Sequence, residues 1–145
     1  MGHFRIEGKN GYICIRIEEV FGFPNQTSHF GGYDVRGRVE LKSCNYCANG
    51  ELWFSTGDVY TFYLALSKIM LDLNSTLEFN SSEGNLSVKM EFNKQGQVRV
   101  SGRYQERWDE NNELMFQFES DQSYFISTLE ELKGLVDRYG GLQGV

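Results

Sequence analysis

The chain has 145 residues and carries 14 Lys plus Arg against 20 Asp plus Glu, a net charge of −6. That length suits a single domain over 1–145, with a core large enough to need neither disulfides nor a metal. The acidic balance repels phosphate backbones and no local basic patch offsets it, which excludes nucleic acid as a partner and favours a basic protein.

Phe4-Arg5-Ile6 and Tyr12 to Glu18 read as two strands joined through Lys9-Asn10-Gly11, where Asn-Gly is a hairpin signal because both residues tolerate positive φ. Residues 20–34 break the pattern and read as a long, glycine-punctuated loop carrying Phe21, Phe23, Phe30 and Tyr33. Val35 to Lys42 alternates, with Val35, Val39 and Leu41 on one face and Arg36, Arg38, Glu40 and Lys42 on the other. A turn over Cys44 to Gly50 is expected to lead into a strand at Glu51–Phe54.

Val59, Phe62, Tyr63, Leu66, Ile69, Met70 and Leu73 then recur at helical spacing, predicting a helix over 57–73. Ser55, Thr56 or Asp58 caps its start, and Asn74 marks its exit. Strands follow at Thr76–Phe79, Leu86–Phe92 and Gln97–Tyr104, the last two joined by Asn93-Lys94-Gln95-Gly96. A polar hairpin tip, Gln105 to Asn112, leads to a strand at Leu114–Phe118. Asp121 or Ser123 opens a second helix over 123–139, with Phe125, Leu129, Leu132, Val136 and Tyr139 as its apolar stripe and Gly140-Gly141 as its stop. About eight strands and two amphipathic helices in this order predict an α+β fold built on a predominantly antiparallel β-sheet. Both halves run from strands into a helix, but their sequences do not align as a repeat.

The motifs argue against catalysis and cofactors. Cys44-Asn45-Tyr46-Cys47 is a CxxC with neither a second pair nor a histidine pair, and Cys14 is the remaining cysteine. Zinc and a redox centre both need more, so Cys44 and Cys47 read as turn residues, with a labile disulfide between them left open. His3 and His29 are the histidines, and spacing sets no carboxylate or serine beside either as a catalytic partner. Gly31-Gly32 lacks the Lys-Ser/Thr ending of a phosphate loop. The expectation is a protein without catalytic residues, metal or cofactor. The opening Met1-Gly2-His3-Phe4-Arg5 has no apolar run of signal-peptide type, no stretch approaches a membrane span, and an odd number of cysteines fits a reducing compartment. The expected location is the cytoplasm, away from any membrane.

Two surface features are candidates for recognition. The first is the tip from Glu106 to Glu113, where Trp108 sits among Asp109, Glu110 and Glu113. A tryptophan inside an acidic rim has the composition of an interface anchor, against the plainer reading of a solvated hairpin end. The second is the aromatic loop, whose Phe21, Phe23, Phe30 and Tyr33 either pin the loop to the core or rim a pocket or partner site.

The segment from about residue 50 to 140 resembles the WapI-like immunity proteins, which accompany wall-associated polymorphic toxins in bacteria. The resembling elements are Leu52-Trp53-Phe54 followed by Asp58 and the Phe62-x-x-x-Leu66 pair, and the turn-strand run Gly96-Gln97-Val98-Arg99-Val100-Ser101-Gly102. The third is Leu114-x-Phe116-x-Phe118 running into Asp121-Gln122-Ser123-Tyr124. The resemblance implies stoichiometric neutralisation: binding the toxin's C-terminal domain, often a nuclease, and blocking its active site. An acidic surface agrees, since it mimics the polyanion a basic nuclease binds. The competing expectations are a small-ligand-binding or enzymatic α+β domain using loop 20–34 as a pocket, and a module that self-associates through a sheet edge.

Overall fold

The computed structural model describes residues 2–145. Eight strands fall into two four-stranded sheets, each a simple antiparallel meander followed by a helix. The first sheet contains β1 (Gly2–Glu7), β2 (Gly11–Phe21), β3 (Asp34–Ser43) and β4 (Tyr46–Ser55) in that order, and α1 (Thr56–Ile69) follows. The second contains β5 (Thr76–Asn80), β6 (Leu86–Phe92), β7 (Gln97–Tyr104) and β8 (Leu114–Asp121). A single 3-10 turn, Gln122–Tyr124, then leads into α2 (Phe125–Tyr139). The expected α+β fold with antiparallel pairing is the observed one.

The period-2 alternation of the strands sends one face of each sheet inward. Phe4, Ile6, Ile13, Ile15, Val35, Val39, Leu41, Leu52 and Phe54 meet Leu77, Phe79, Leu86, Val88, Met90, Val98, Val100 and Phe118 in a shared core. Phe79 on β5 is the hub of this core. Its ring packs edge-on against Phe4 at 5.5 Å, Phe62 of α1 at 5.5 Å and Phe54 at 6.5 Å, joining both sheets and a helix. The helices pack against each other, with α2 along β1 and α1 along β5, and so close one side between the sheets. Hydrogen bonds stitch the sheets elsewhere: Ser120 Oγ donates to Glu7 O (2.6 Å), and Ser43 Oγ donates to Gln117 O (2.8 Å).

The structure corrects several boundaries. Residues 44–50 are not a turn. Cys44-Asn45 alone turn the chain, with Cys44 at φ 56°, and β4 starts at Tyr46. The first hairpin turns through Gly8-Lys9-Asn10, closed by Gly8 N donating to Gly11 O (2.9 Å), so Gly11 belongs to β2. The loop expected over 20–34 is shorter, because β2 continues past an irregularity between Ile17 and Glu19 to pair Phe21 with Asp34. Helix α1 ends at Ile69 rather than 73. On α2 the buried stripe is Phe125, Thr128, Leu132, Leu135 and Tyr139, while Leu129 and Val136 are only half-buried. Thr128 is buried because its hydroxyl donates to Arg5 O (2.6 Å), which rotates the helix toward β1.

Candidate partner interface

The β7–β8 tip is tied down at its base and free at its end. Gln105 N donates to Asn85 O (2.9 Å), and Gln105 Nε2 donates to Glu110 O (2.8 Å). Glu106 reaches across to the other sheet, where its carboxylate accepts the Glu51 N–H of β4 (2.6 Å). The Glu51 carbonyl accepts the Tyr104 hydroxyl (2.7 Å) and Asn85 Nδ2 (3.4 Å). Burial pushes the Tyr104 hydroxyl well above its usual ionisation range, and the nearby Glu106 carboxylate adds to this, so it stays a donor. Beyond this clamp, Trp108 is 74% exposed, its ring lying against the β5–β6 turn at Gly84.

Of the residues predicted for this site, Asp109 and Glu110 gather around Arg107, at 3.3 and 3.7 Å. The Arg107 hydrogen bond holds the Asp109 carboxyl below its ordinary range. Glu113 sits at the foot of the tip, 3.7 Å from Arg103. Residues 105–113 hold four carboxylates and one guanidinium, a net −3 that is half of the chain's −6. The tip therefore presents an exposed indole in a negative field, with its acids pre-ordered by internal cations. Glu106 was invisible as a structural residue in the sequence, because its partner lies on another sheet.

The aromatic loop is arranged differently. Tyr33 is fully buried, its hydroxyl donating to Pro24 O (2.9 Å) and accepting the Val145 N–H (3.1 Å). Phe23 packs edge-on against both Tyr33 and Tyr139, each at 5.2 Å. Gly32 N donates to Leu142 O (2.8 Å). Gly32 adopts φ 66°, and a Cβ there would strike Thr56 Oγ1 and Gly57 N at the start of α1, so the position takes glycine on both counts. Phe21 stacks on Trp53 at 6.2 Å, and Phe30, about half exposed, packs against His29. Only Phe23 and Tyr33 meet, and they anchor the loop to α2 and the C-terminal residues.

The largest concavity described, about 620 Å³, lies at the end of the second sheet between Lys9, Thr76, Glu91, Asn93, Arg99 and Glu119. Arg99 and Glu119 stand 3.7 Å apart across its wall. A second, of about 430 Å³, lies on the outer face of the first sheet, where Cys14 is buried between Arg5, Tyr12, Arg16 and Glu40. All three cysteines are free thiols, and Cys44 and Cys47 are exposed. Among the described residues no group of three or more His, Cys, Asp or Glu is placed to hold a metal. Nor, among them, is any helix long and apolar enough to cross a membrane.

Comparison with curated proteins returns no match. The model of the WapI-like immunity protein family matches residues 4–140, which takes in both sheets, α1 and α2. With nearly the whole fold inside that match, the chain belongs to the WapI-like immunity protein family.

Proposed function

We propose that this protein neutralises the C-terminal domain of its cognate toxin, a nuclease, by stoichiometric binding in the cytoplasm and without catalysis of its own. The observation that carries the reading is the tip: an indole 74% exposed on a segment holding half the net negative charge. A large apolar ring left in water is costly unless a partner covers it, and tryptophan is enriched among residues that dominate binding energy. The surrounding Asp109, Glu110 and Glu113 set up the field that draws in a basic nuclease surface. Family membership supports a protein toxin as the partner.

The division of labour is testable with the cognate toxin domain. Replacing Asp109, Glu110 and Glu113 by their amides slows association and flattens its salt dependence, because exposed charges act mainly through steering. Trp108→Ala leaves association nearly unchanged and raises the dissociation rate about 30-fold, equivalent to about 2 kcal/mol. Unchanged kinetics in both variants, with the fold intact, would place the interface elsewhere.

A further inference from the structure

Each sheet has two edges, and an edge strand exposes unpaired backbone groups that invite another strand. Here they are treated unequally. On β1, helix α2 takes both backbone groups of Arg5: its N–H donates to Glu131 Oε1 (3.0 Å) and its carbonyl accepts from Thr128. On β8, Gln117 O accepts from Ser43, Glu119 O accepts the Lys9 N–H (2.8 Å), and Glu119 N donates to Asn10 Oδ1 (3.2 Å). Helix α1 packs against β5. Among the described residues no hydrogen bond reaches the outward backbone groups of Thr76, Glu78 and Asn80, and the exposed Glu78 supplies the charge that guards that edge. On β4 the seal is local, with Glu51 engaged by Glu106, Tyr104 and Asn85. Backbone direction alternates along a strand, so Cys47 and Asn49 point their N–H and C=O groups the same way as Glu51. Among the described residues nothing bonds to those groups. The run Tyr46-Cys47-Ala48-Asn49 also has no lysine or proline, the usual guards of an edge, and Tyr46 is 68% exposed.

We propose that the open part of β4 takes up an extended, basic segment of the toxin domain as an added antiparallel strand. This rests on the toxin-binding reading and names a second contact for the same complex. Charge selects the occupant. The concavity beside the edge, about 460 Å³, is lined by Ala48, Asn49, Tyr104, Glu106, Asn112 and Glu113. Its carboxylates are Glu106 and Glu113; Arg103 stands 3.7 Å from Glu113, and Arg38 donates to the Asn49 side chain. The field that favours lysine or arginine on the incoming strand therefore comes from the adjoining tip, net −3 over residues 105–113. A second copy of this chain would instead line up two acidic tips along one seam. Main-chain pairing supplies affinity in such additions, and alternate side chains supply selection.

Amide hydrogen exchange on the native protein, with and without the toxin domain, tests the pairing directly. The Cys47 and Asn49 amides are expected to exchange at least tenfold more slowly in the complex. Asn49→Pro removes an outward donor without touching the β3 ladder, as edge positions allow. It is expected to weaken binding about tenfold, while Asn49→Ala, which keeps the N–H, stays within about threefold of native. Toxin that binds with both amides unchanged and with Asn49→Pro as tight as native overturns the added strand and leaves toxin binding standing. Protection of the two amides that grows with concentration of this protein alone overturns it in favour of self-pairing. If Asn49→Pro does not fold, the exchange result on the native chain decides. Absence of any toxin binding by the native protein refutes the parent reading instead.

Discussion

Asp58 holds the start of α1 to the second sheet, and its replacement separates hydrogen bonding from charge. One oxygen, Oδ2, accepts both the Ser55 N–H (2.9 Å) and the Ser82 N–H (3.0 Å), while Asp58 N donates back to Ser55 Oγ (3.1 Å). This capping box bridges the helix N-terminus to the β5–β6 turn. Burial pushes the Asp58 carboxyl above its ordinary value, although the N–H groups of Ser55 and Ser82 pull the other way. Asp58→Ala strands the half-buried Ser82 N–H, at about 1–3 kcal/mol, and breaks the capping box at Ser55, at about 1 kcal/mol. A total of roughly 2–4 kcal/mol follows from adding those two terms. Asp58→Asn keeps an acceptor at the Oδ2 position and carries no buried charge, so it costs less than about 1 kcal/mol, mostly lost helix-dipole attraction.

The pH dependence has a definite sign. A folded-state value above the unfolded one means that folding favours the protonated acid. The Asp58 contribution is therefore fully present below the unfolded carboxylate value of about 4 and is lost as pH climbs through the raised folded value. The Asn variant does not titrate, so it gains on the native protein as pH rises from about 3 to 7. Urea unfolding of the native, Asn and Ala forms across that range is the assay. Equal destabilisation by Asn and Ala, or an Asn variant that loses ground as pH rises, would refute the reasoning.

Phe79→Ala removes the ring shared by Phe4, Phe54 and Phe62. Its unfolding free energy should fall by about 3–5 kcal/mol, toward the top of that range because three aromatic partners lose contact at once. Trp108→Ala is the stability control for the binding experiment: at 74% exposure it should change unfolding by no more than about 0.5 kcal/mol in urea titrations.

The strands that were legible in the sequence are those with one wet and one dry face. Leu86 to Phe92 alternates because it buries every second residue, and Gln97 to Tyr104 because it buries Val98, Val100 and Tyr104 on the same face. The start of α1 was legible to within a residue, with Ser55, Thr56 and Asp58 as candidate caps; the fold selects Ser55, through a capping box with Asp58. The start of β4 was not, because Tyr46 to Gly50 shows no alternation of apolar and polar residues and ends in glycine. In the fold that glycine is no turn signal: a Cβ at Gly50 would strike the Tyr104 hydroxyl and crowd the Glu106 carboxylate. The division into two sheets was equally hidden, since hairpin signals are local and nothing in them says that β4 and β5 part company around α1. Thr128 on the buried face of α2 was missed because apolar periodicity cannot register a hydroxyl whose hydrogen bond makes burial tolerable. At the candidate interface the exposed Trp108 and its acids were readable from composition. That Arg107 and Arg103 organise those acids, and that Glu106 clamps β4, depends on contacts only the folded chain makes.

The most direct test of the central claim is a titration of the toxin domain's activity with this protein. Stoichiometric neutralisation predicts that activity falls linearly to zero at one equivalent, that the endpoint does not move with incubation time, and that active toxin returns when the complex is dissociated. Full toxin activity in the presence of excess protein, or irreversible inactivation by a small fraction of an equivalent, would contradict it.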